Sequence, residues 1–393
     1  MNPRAIDFGR RRLMLAGGAA GLAGFAARGR AQGKPLPEYA DFKDPADVIV
    51  HSANTIETER TAFGTSGVTP EDILFVRNNL KPEPAFVANR DAWRIEVDGV
   101  ARPRTFTLEE LKRIGLGTLS MVLQCSGNGR GFFDHKASGT QWRVGAAGNT
   151  LWSGVPVKDL VNMLGGVREG MRYMTSTGGE IIPPGIDPKS VIVERSVPWT
   201  EWEHALLAWE LNGEPIPLAH GGPLRIVIPG YYGINNVKYV KRLAFTLEES
   251  DAAIMRTGYR VRPIGMKGAP TQPTMWEMNL KSFITHPAGD KPLAPGTVQL
   301  HGVAFSGGGG VQGVQVSVDG GRTWWKAPFF GPYLGRHAWQ QFLLPVRLER
   351  GTHVIASRAL GADGAVQPEH RLENERGYGH NGWRDHAVRV SVA

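Results

Sequence analysis

The chain has 393 residues, 41% hydrophobic and 21% charged, the balance of a globular protein long enough for two or three domains. Its formal net charge of +8 would suit a nucleic-acid binder, but residues 1–31 carry six arginines against one aspartate, which leaves only a mild surplus elsewhere and no argument for such a partner. One cysteine excludes an intrachain disulfide, and 51 glycines with 27 prolines predict many turns and little uninterrupted helix.

The first segment, "GRRRLMLAGGAAGLAGFAARGRAQG", has a basic start, an apolar run from Leu13 to Ala27 and small residues around Gly29 and Ala31. The run is too short and too rich in Gly and Ala for a membrane span. Arg11-Arg12 directly before a weakly apolar run predicts a twin-arginine signal peptide over 1–31, with an ordinary secretory signal as the alternative. Twin-arginine export carries folded proteins, so the expected compartment is the periplasm.

Residues from about 40 to 250 mix helix and strand signals. "WRIEVDGV" (93–100) alternates like a strand and ends at Asp98-Gly99. "TLEELKRIG" (107–115) opens like a helix, with Thr107 as N-cap and Glu110 three residues on. "PVKDLVNMLGGV" (156–167) reads as a short amphipathic helix. "HALLAWELNGEPI" (204–216) fits either a helix or a strand that stops at Asn212-Gly213, and "GPLRIVIPGY" (222–231) is a buried strand. Pro263, Pro270 and Pro273 mark a linker. Beyond it the pattern alternates with period two, with a hairpin signal at Asp319-Gly320-Gly321, and predicts a seven-strand immunoglobulin-like β-sandwich. The expected organisation is a signal over 1–31, an α+β domain over 32–265 and an all-β domain over 266–393.

Several motifs fail on inspection. "GNGRG" (127–131) lacks the third glycine and following helix of a dinucleotide loop, and "SGGGGVQG" is not followed by a phosphate-binding Lys-Ser/Thr. There is no H-E-x-x-H, no G-x-S-x-G and no C-x-x-C-H, so no c-type haem is expected on this chain. What remains is Cys125, in "VLQCSGNGRGFF", at a strand-to-loop corner beside Arg130. Many lone cysteines are small buried hydrophobes. A neighbouring cation instead favours thiolate, which is either a nucleophile with a His partner, for which His135 is available, or a soft metal ligand. A metal held by one protein thiolate takes its other ligands from a cofactor.

The ordered motifs around this corner resemble the sulfite oxidase family of molybdenum enzymes. "LFVRNNLKPEP", "LQCSGNGR", "WRVGAAGNTLWSGV", "LLAWELNGEPIPLAHGGPLRIVIPGYYGINNVKYVKRL", "TLEESDAAIMRTGY" and "ENERGYGHNGWRDHAVRV" follow the family's order from about residue 70 onward. One departure is Asn79, where the family's segment carries His. The resemblance implies a molybdopterin-binding catalytic domain followed by the sandwich as a dimerisation domain. It implies Cys125 as the molybdenum ligand, and Arg77, Arg130, Tyr259, Arg376 and Trp142 around the reacting face. It gives Asn79, Ser196, His220, Arg225 and Lys238 to the pterin and its phosphate. The implied reaction is oxidation of sulfite, with electrons leaving singly to an external cytochrome c. A homodimer is expected, with a heterodimer carrying a cytochrome subunit as the family's other arrangement. Competing readings are a sulfane-sulfur dehydrogenase or a sulfoxide reductase of the same cofactor class, and an exported binding protein without metal.

Overall fold

The structure, a computed structural model, describes residues 34–289 and 291–393; the expected signal peptide lies outside them. Among the described residues the chain is built from five sheets with only short helices, the longest α-helix being Val157–Met163. No helix is long and apolar enough to cross a membrane.

Two five-stranded sheets form the first region. One runs in the order Glu214–Pro215, Leu206–Leu211, Ala147–Pro156, Gly117–Gln124, with Arg225–Val227 pairing the second of these. The other runs Arg104–Thr107, Arg94–Asp98, Arg242–Thr246, Tyr173–Thr177, Glu194–Pro198. It is antiparallel except where Arg94–Asp98 meets Arg242–Thr246. A core of Ile95, Val97, Leu160, Leu207, Ile226 and Leu243 lies between strands and helices here. The ambiguous stretch after His204 is a strand: Leu206–Leu211 is buried almost throughout and turns back on Glu214–Pro215 through Asn212 (φ 54°) and Gly213 (φ 90°). Two successive left-handed residues match the twist of a tight hairpin, which a helix would not need. The expected N-cap at Thr107 is a full capping box with Glu110.

The C-terminal region is a sandwich of two four-stranded antiparallel sheets. One is Lys281–His286, Gly296–Phe305, Gln340–Leu348, Phe329–Phe330; the other is Trp325–Ala327, Val311–Ser317, Gly351–Gly361, Val388–Val392. That is eight strands rather than seven. Pro328 breaks the "WKAPFF" stretch into two short strands that pair in different sheets. The two regions share a core of Phe63, Val122, Tyr232, Phe283, Phe305, Trp339 and Tyr378. The backbone N–H of Val122 donates to His337 O at 2.8 Å, and Trp339 Nε1 donates to Gly67 O at 3.0 Å. The sandwich is thus packed directly behind the strand that leads to Cys125.

Candidate active site

Strand Gly117–Gln124 ends one residue before Cys125. The Cys125 N–H still donates to Ala146 O at 2.9 Å, and the chain then turns, with Asn128 N–H donating to Cys125 O at 3.0 Å. The Asn128 side chain fixes the corner from inside: its Oδ1 accepts from Ala146 N and its Nδ2 donates to Gln124 Oε1. Cys125 is a free thiol, 9% exposed. It borders two adjoining cavities, whose walls also share Arg77, Asn78, Asn79 and Tyr259.

The first cavity ends in a basic pocket of His220, Arg225 and Lys238. Lys238 Nζ donates to Asn78 Oδ1 and Ala219 O, both at 2.6 Å, and Arg225 Nη1 donates to His220 O at 2.8 Å. Lys43 backs this group: its Nζ lies 3.1 Å from His220 Nε2 and donates to the Glu71 and Leu74 carbonyls. Burial, then mutual repulsion, pushes His220 and Lys238 well below their ordinary pKa values, and burial lowers Arg225 to about 10 and Lys43 to about 7. The nearby carboxyls of Glu180 and Glu71 are themselves lifted by burial to about 7. A bound anion would reverse the penalty that these crowded cations impose on one another.

The second cavity is lined by Arg77, Arg130, Trp142, Tyr259, Arg376 and Tyr378. Arg130 Nε donates to Arg376 O at 2.8 Å and its Nη1 to Thr140 O at 3.1 Å. Gly139 passes so close to this guanidinium that a Cβ there would lie 2.7 Å from Nη1, and its φ of +110° also favours glycine. Trp142 is fully buried, held edge-on by His51 and Phe75. Tyr259 and Tyr378 stack with centroids 5.0 Å apart and planes within 10°. Tyr259 follows the wide turn Ile254–Gly258, which is clamped by fully buried Arg195: its Nη1 donates to Ile254 O, its Nη2 to Thr274 Oγ1 and its Nε to Asn235 Oδ1.

Ten of the eleven residues singled out from the sequence border these cavities. Ser196 does not: its hydroxyl lies in the sheet, 2.8 Å from Thr175 Oγ1, and accepts from Ser250 N–H at 2.9 Å. Asn79 does, with its Nδ2 donating to Val191 O at 2.6 Å. His135 borders neither cavity; its Nε2 meets Glu375 O and its Nδ1 faces Glu373, so the nucleophile–histidine pair is not formed. The sequence reading missed Lys43, Asn78, Glu180 and Tyr378. Tyr378 and Asn78 stood one or two positions from residues already chosen, whereas Lys43 and Glu180 had no local signal.

Among the described residues no three of His, Cys, Asp and Glu converge as a metal-ligand cluster. The cavity walls nevertheless hold buried donors without a protein partner: Arg225 Nε, Asn78 Nδ2, Ser126 Oγ, Trp142 Nε1 and Arg376 Nε. Buried polar atoms are seldom left unmet in native proteins. A soft thiolate at the junction, cations at one end and orphan donors along the walls fit a metal carried by an anionic, phosphate-bearing cofactor.

Comparison with known proteins agrees. Residues 82–254 match the oxidoreductase molybdopterin-binding domain, and residues 272–392 the Mo-co oxidoreductase dimerisation domain. The chain is 31% identical over 321 residues to sulfite oxidase of Gallus gallus, covering 77% of this chain and 68% of that one. It is 32% identical to the mitochondrial sulfite oxidase of Rattus norvegicus, covering 83% of this chain and 62% of the relative, so it spans about two thirds of these relatives' length. An NADH nitrate reductase of Phaseolus vulgaris is 30% identical over 80% of this chain, but over only 38% of its own length. Among solved structures, the sulfane dehydrogenase SoxCD of Paracoccus pantotrophus superposes with a TM-score of 0.72 at 26% identity, covering 95% of this chain and 96% of that one.

Proposed function

Because the chain belongs to the sulfite oxidase family of molybdenum enzymes, we propose that it is a sulfite dehydrogenase, converting sulfite and water to sulfate, two protons and two electrons. The observation that carries this reading is the junction itself: a buried thiol between a cavity ending in cations and a cavity walled by arginines. In the first cavity Cys125 would hold the metal, His220, Arg225 and Lys238 the pterin phosphate, and Asn79 would face the pterin as a neutral donor. When bound, the molybdenum–pterin group supplies two-electron oxygen-atom transfer to the sulfur lone pair. The protein's part is positioning. Arg77, Arg130 and Arg376 draw the anion out of water and orient it, in a site where fixed charges act more strongly than in solvent. Trp142 and the Tyr259–Tyr378 stack restrict water around it.

The electrons would leave one at a time to an external cytochrome c, and the sandwich would pair two copies. A second reading, dehydrogenation of sulfane sulfur, is favoured by the near full-length superposition on SoxCD. Metal analysis of the purified protein, followed by steady-state kinetics with sulfite, thiosulfate, methionine sulfoxide and nitrate, tests both. Sulfite turnover with a kcat/KM at least ~10-fold above the others, worth about 1.4 kcal/mol of transition-state stabilisation, is the expected result. Thiosulfate as the better donor selects the second reading, and protein without molybdenum removes both.

We further propose twin-arginine export to the periplasm as a folded, metal-loaded protein. Arg11 and Arg12 both changed to Lys should leave active protein in the cytoplasm on fractionation. Unchanged periplasmic activity would point to the ordinary secretory route.

A further inference from the structure

The wall segment that carries Arg376 and Tyr378 continues to His380, then into the short helix Trp383–His386, which packs against strand Lys281–His286. Three buried basic side chains meet there. Lys281 is 1% exposed and its Nζ has no partner among the described residues. His386 is 2% exposed with neither ring nitrogen paired, and His380, also 2% exposed, has its Nδ1 unpaired. The two imidazoles lie 4.6 Å apart, against Phe132, with Phe283 beside His386. Asn381 Nδ2 donates to Leu280 O at 3.2 Å, and Arg60 Nη1 to His386 O at 3.2 Å, closing the cluster from both sides.

The charge does not balance. The charges bearing on His386 come from Lys281, His380 and Arg60, and the charge bearing on Lys281 comes from Arg60, all basic groups, while Glu59 and Glu57 act on Arg60. Asp385 is the carboxylate at the cluster, and its Oδ2 is already shared by His380 Nε2 at 2.9 Å and Arg371 Nη1 at 2.8 Å. An isolated buried ammonium with three unmet donors is among the costliest arrangements in a protein interior. It is relieved by losing the proton or by gaining a counter-ion, and the helix that carries the unpaired His386 packs on the strand that carries Lys281. We propose that Lys281, His386 and His380 form a buried binding site for one small monovalent inorganic anion of the halide class, separate from the substrate cavity and directly behind the segment that carries Arg376. The phenyl walls and the near-complete burial favour a small, weakly hydrated ion over an oxyanion with several acceptors. Because His380 donates through Nε2 to Asp385, its Nδ1 faces the anion as a donor only when the ring is doubly protonated. Lys281, His380 and His386 therefore take up protons as the anion binds, against the repulsion of Arg60 and with Asp385 and Arg371 on the far side, so affinity rises as pH falls.

The test uses the purified full-length protein with its cofactor. Crystals grown with sodium bromide should show an anomalous peak in contact with Lys281 Nζ and the His386 ring. Melting in sodium chloride should exceed melting in sodium gluconate of equal ionic strength by a saturable ~2 °C or more, larger at pH 6 than at pH 8. Lys281→Met should abolish that difference. A water-like peak without anomalous signal overturns the proposal, as do equal melting temperatures in the two salts or a Lys281→Met protein that keeps the chloride effect. Should the variant not fold, the bromide map of the unaltered protein decides alone.

Discussion

Cys125 was conspicuous as the chain's single thiol, and the structure gives it a place that a packing role does not require: at the meeting of two cavities, with its backbone held at the end of a strand. Cys125→Ser should fold normally yet lose sulfite turnover, because a neutral hydroxyl is a poor substitute for a soft thiolate. Circular dichroism, molybdenum content and activity on one preparation check this; turnover within ~10-fold of the unaltered enzyme, about 1.4 kcal/mol in the barrier, removes the ligand assignment. Glu180 makes a different prediction. Burial lifts its carboxyl to about 7 from an ordinary 4.5. The folded protein therefore keeps a proton that the unfolded chain releases across that window, and this residue's contribution to stability declines as pH rises through it. In cofactor-free protein Glu180→Gln should be about 1–3 kcal/mol more stable than the parent at pH 8, the gain fading toward pH 4.5. Urea unfolding at both pH values decides, and a pH-independent difference would sink the assignment. Neither Glu180 nor Lys43 was legible before the fold, since burial of a charged residue is set by what packs over it and leaves no local pattern.

At the scale of elements, the legible parts were those with local chemistry. The capping box at Thr107 and the strand Arg94–Asp98 rest on residues within five positions of one another, and the turn at Asp319 joins Val311–Ser317 to Trp325–Ala327. The stretch after His204 stayed ambiguous because an apolar run of five fits either a buried strand or a helix, and only its three partner strands decide it. The placement of Tyr259 was similarly invisible: it depends on Arg195, 64 positions earlier, reaching Ile254 O, Thr274 and Asn235. Arg195→Met strips the donors from three buried acceptors and should destabilise the fold by about 3 kcal/mol. It should also lower kcat/KM, because the turn before Tyr259 loses its clamp. Denaturation and kinetics on the folded fraction separate the effects; reduced stability with unchanged kinetics would show that the clamp does not position the tyrosine.

For the whole molecule, the order of motifs was enough to anticipate a two-region chain, but not the shared core that joins the regions through Phe63, Val122, Phe283 and Tyr378. That core is why Arg376 reaches a cavity whose thiol lies 251 positions earlier in the chain (376 − 125). Arg376→Met keeps most of the bulk and removes the charge. If the guanidinium meets the substrate anion, kcat/KM for sulfite should fall roughly 10- to 150-fold, as for loss of a hydrogen bond to a charged group, with most of the change in KM. A large drop in melting temperature with KM unchanged would leave Arg376 as a tie between regions, through the carbonyl that Arg130 Nε already holds.

The same separation sets a schedule for biosynthesis. A ribosome adding about 5–20 residues per second needs roughly 12–50 s to travel from Cys125 to Arg376. Once Lys238 has been added, with 138 residues still to come before Arg376 (376 − 238), the strand, the corner and the basic pocket exist as chain, while the arginine and tyrosine that wall the second cavity do not. A nascent chain is therefore open on the side where the finished protein is closed, and the segment reaching Arg376 and Tyr378 acts as the latch. Cofactor delivery before the latch arrives would meet an exposed thiol; delivery afterwards would have to pass a formed wall.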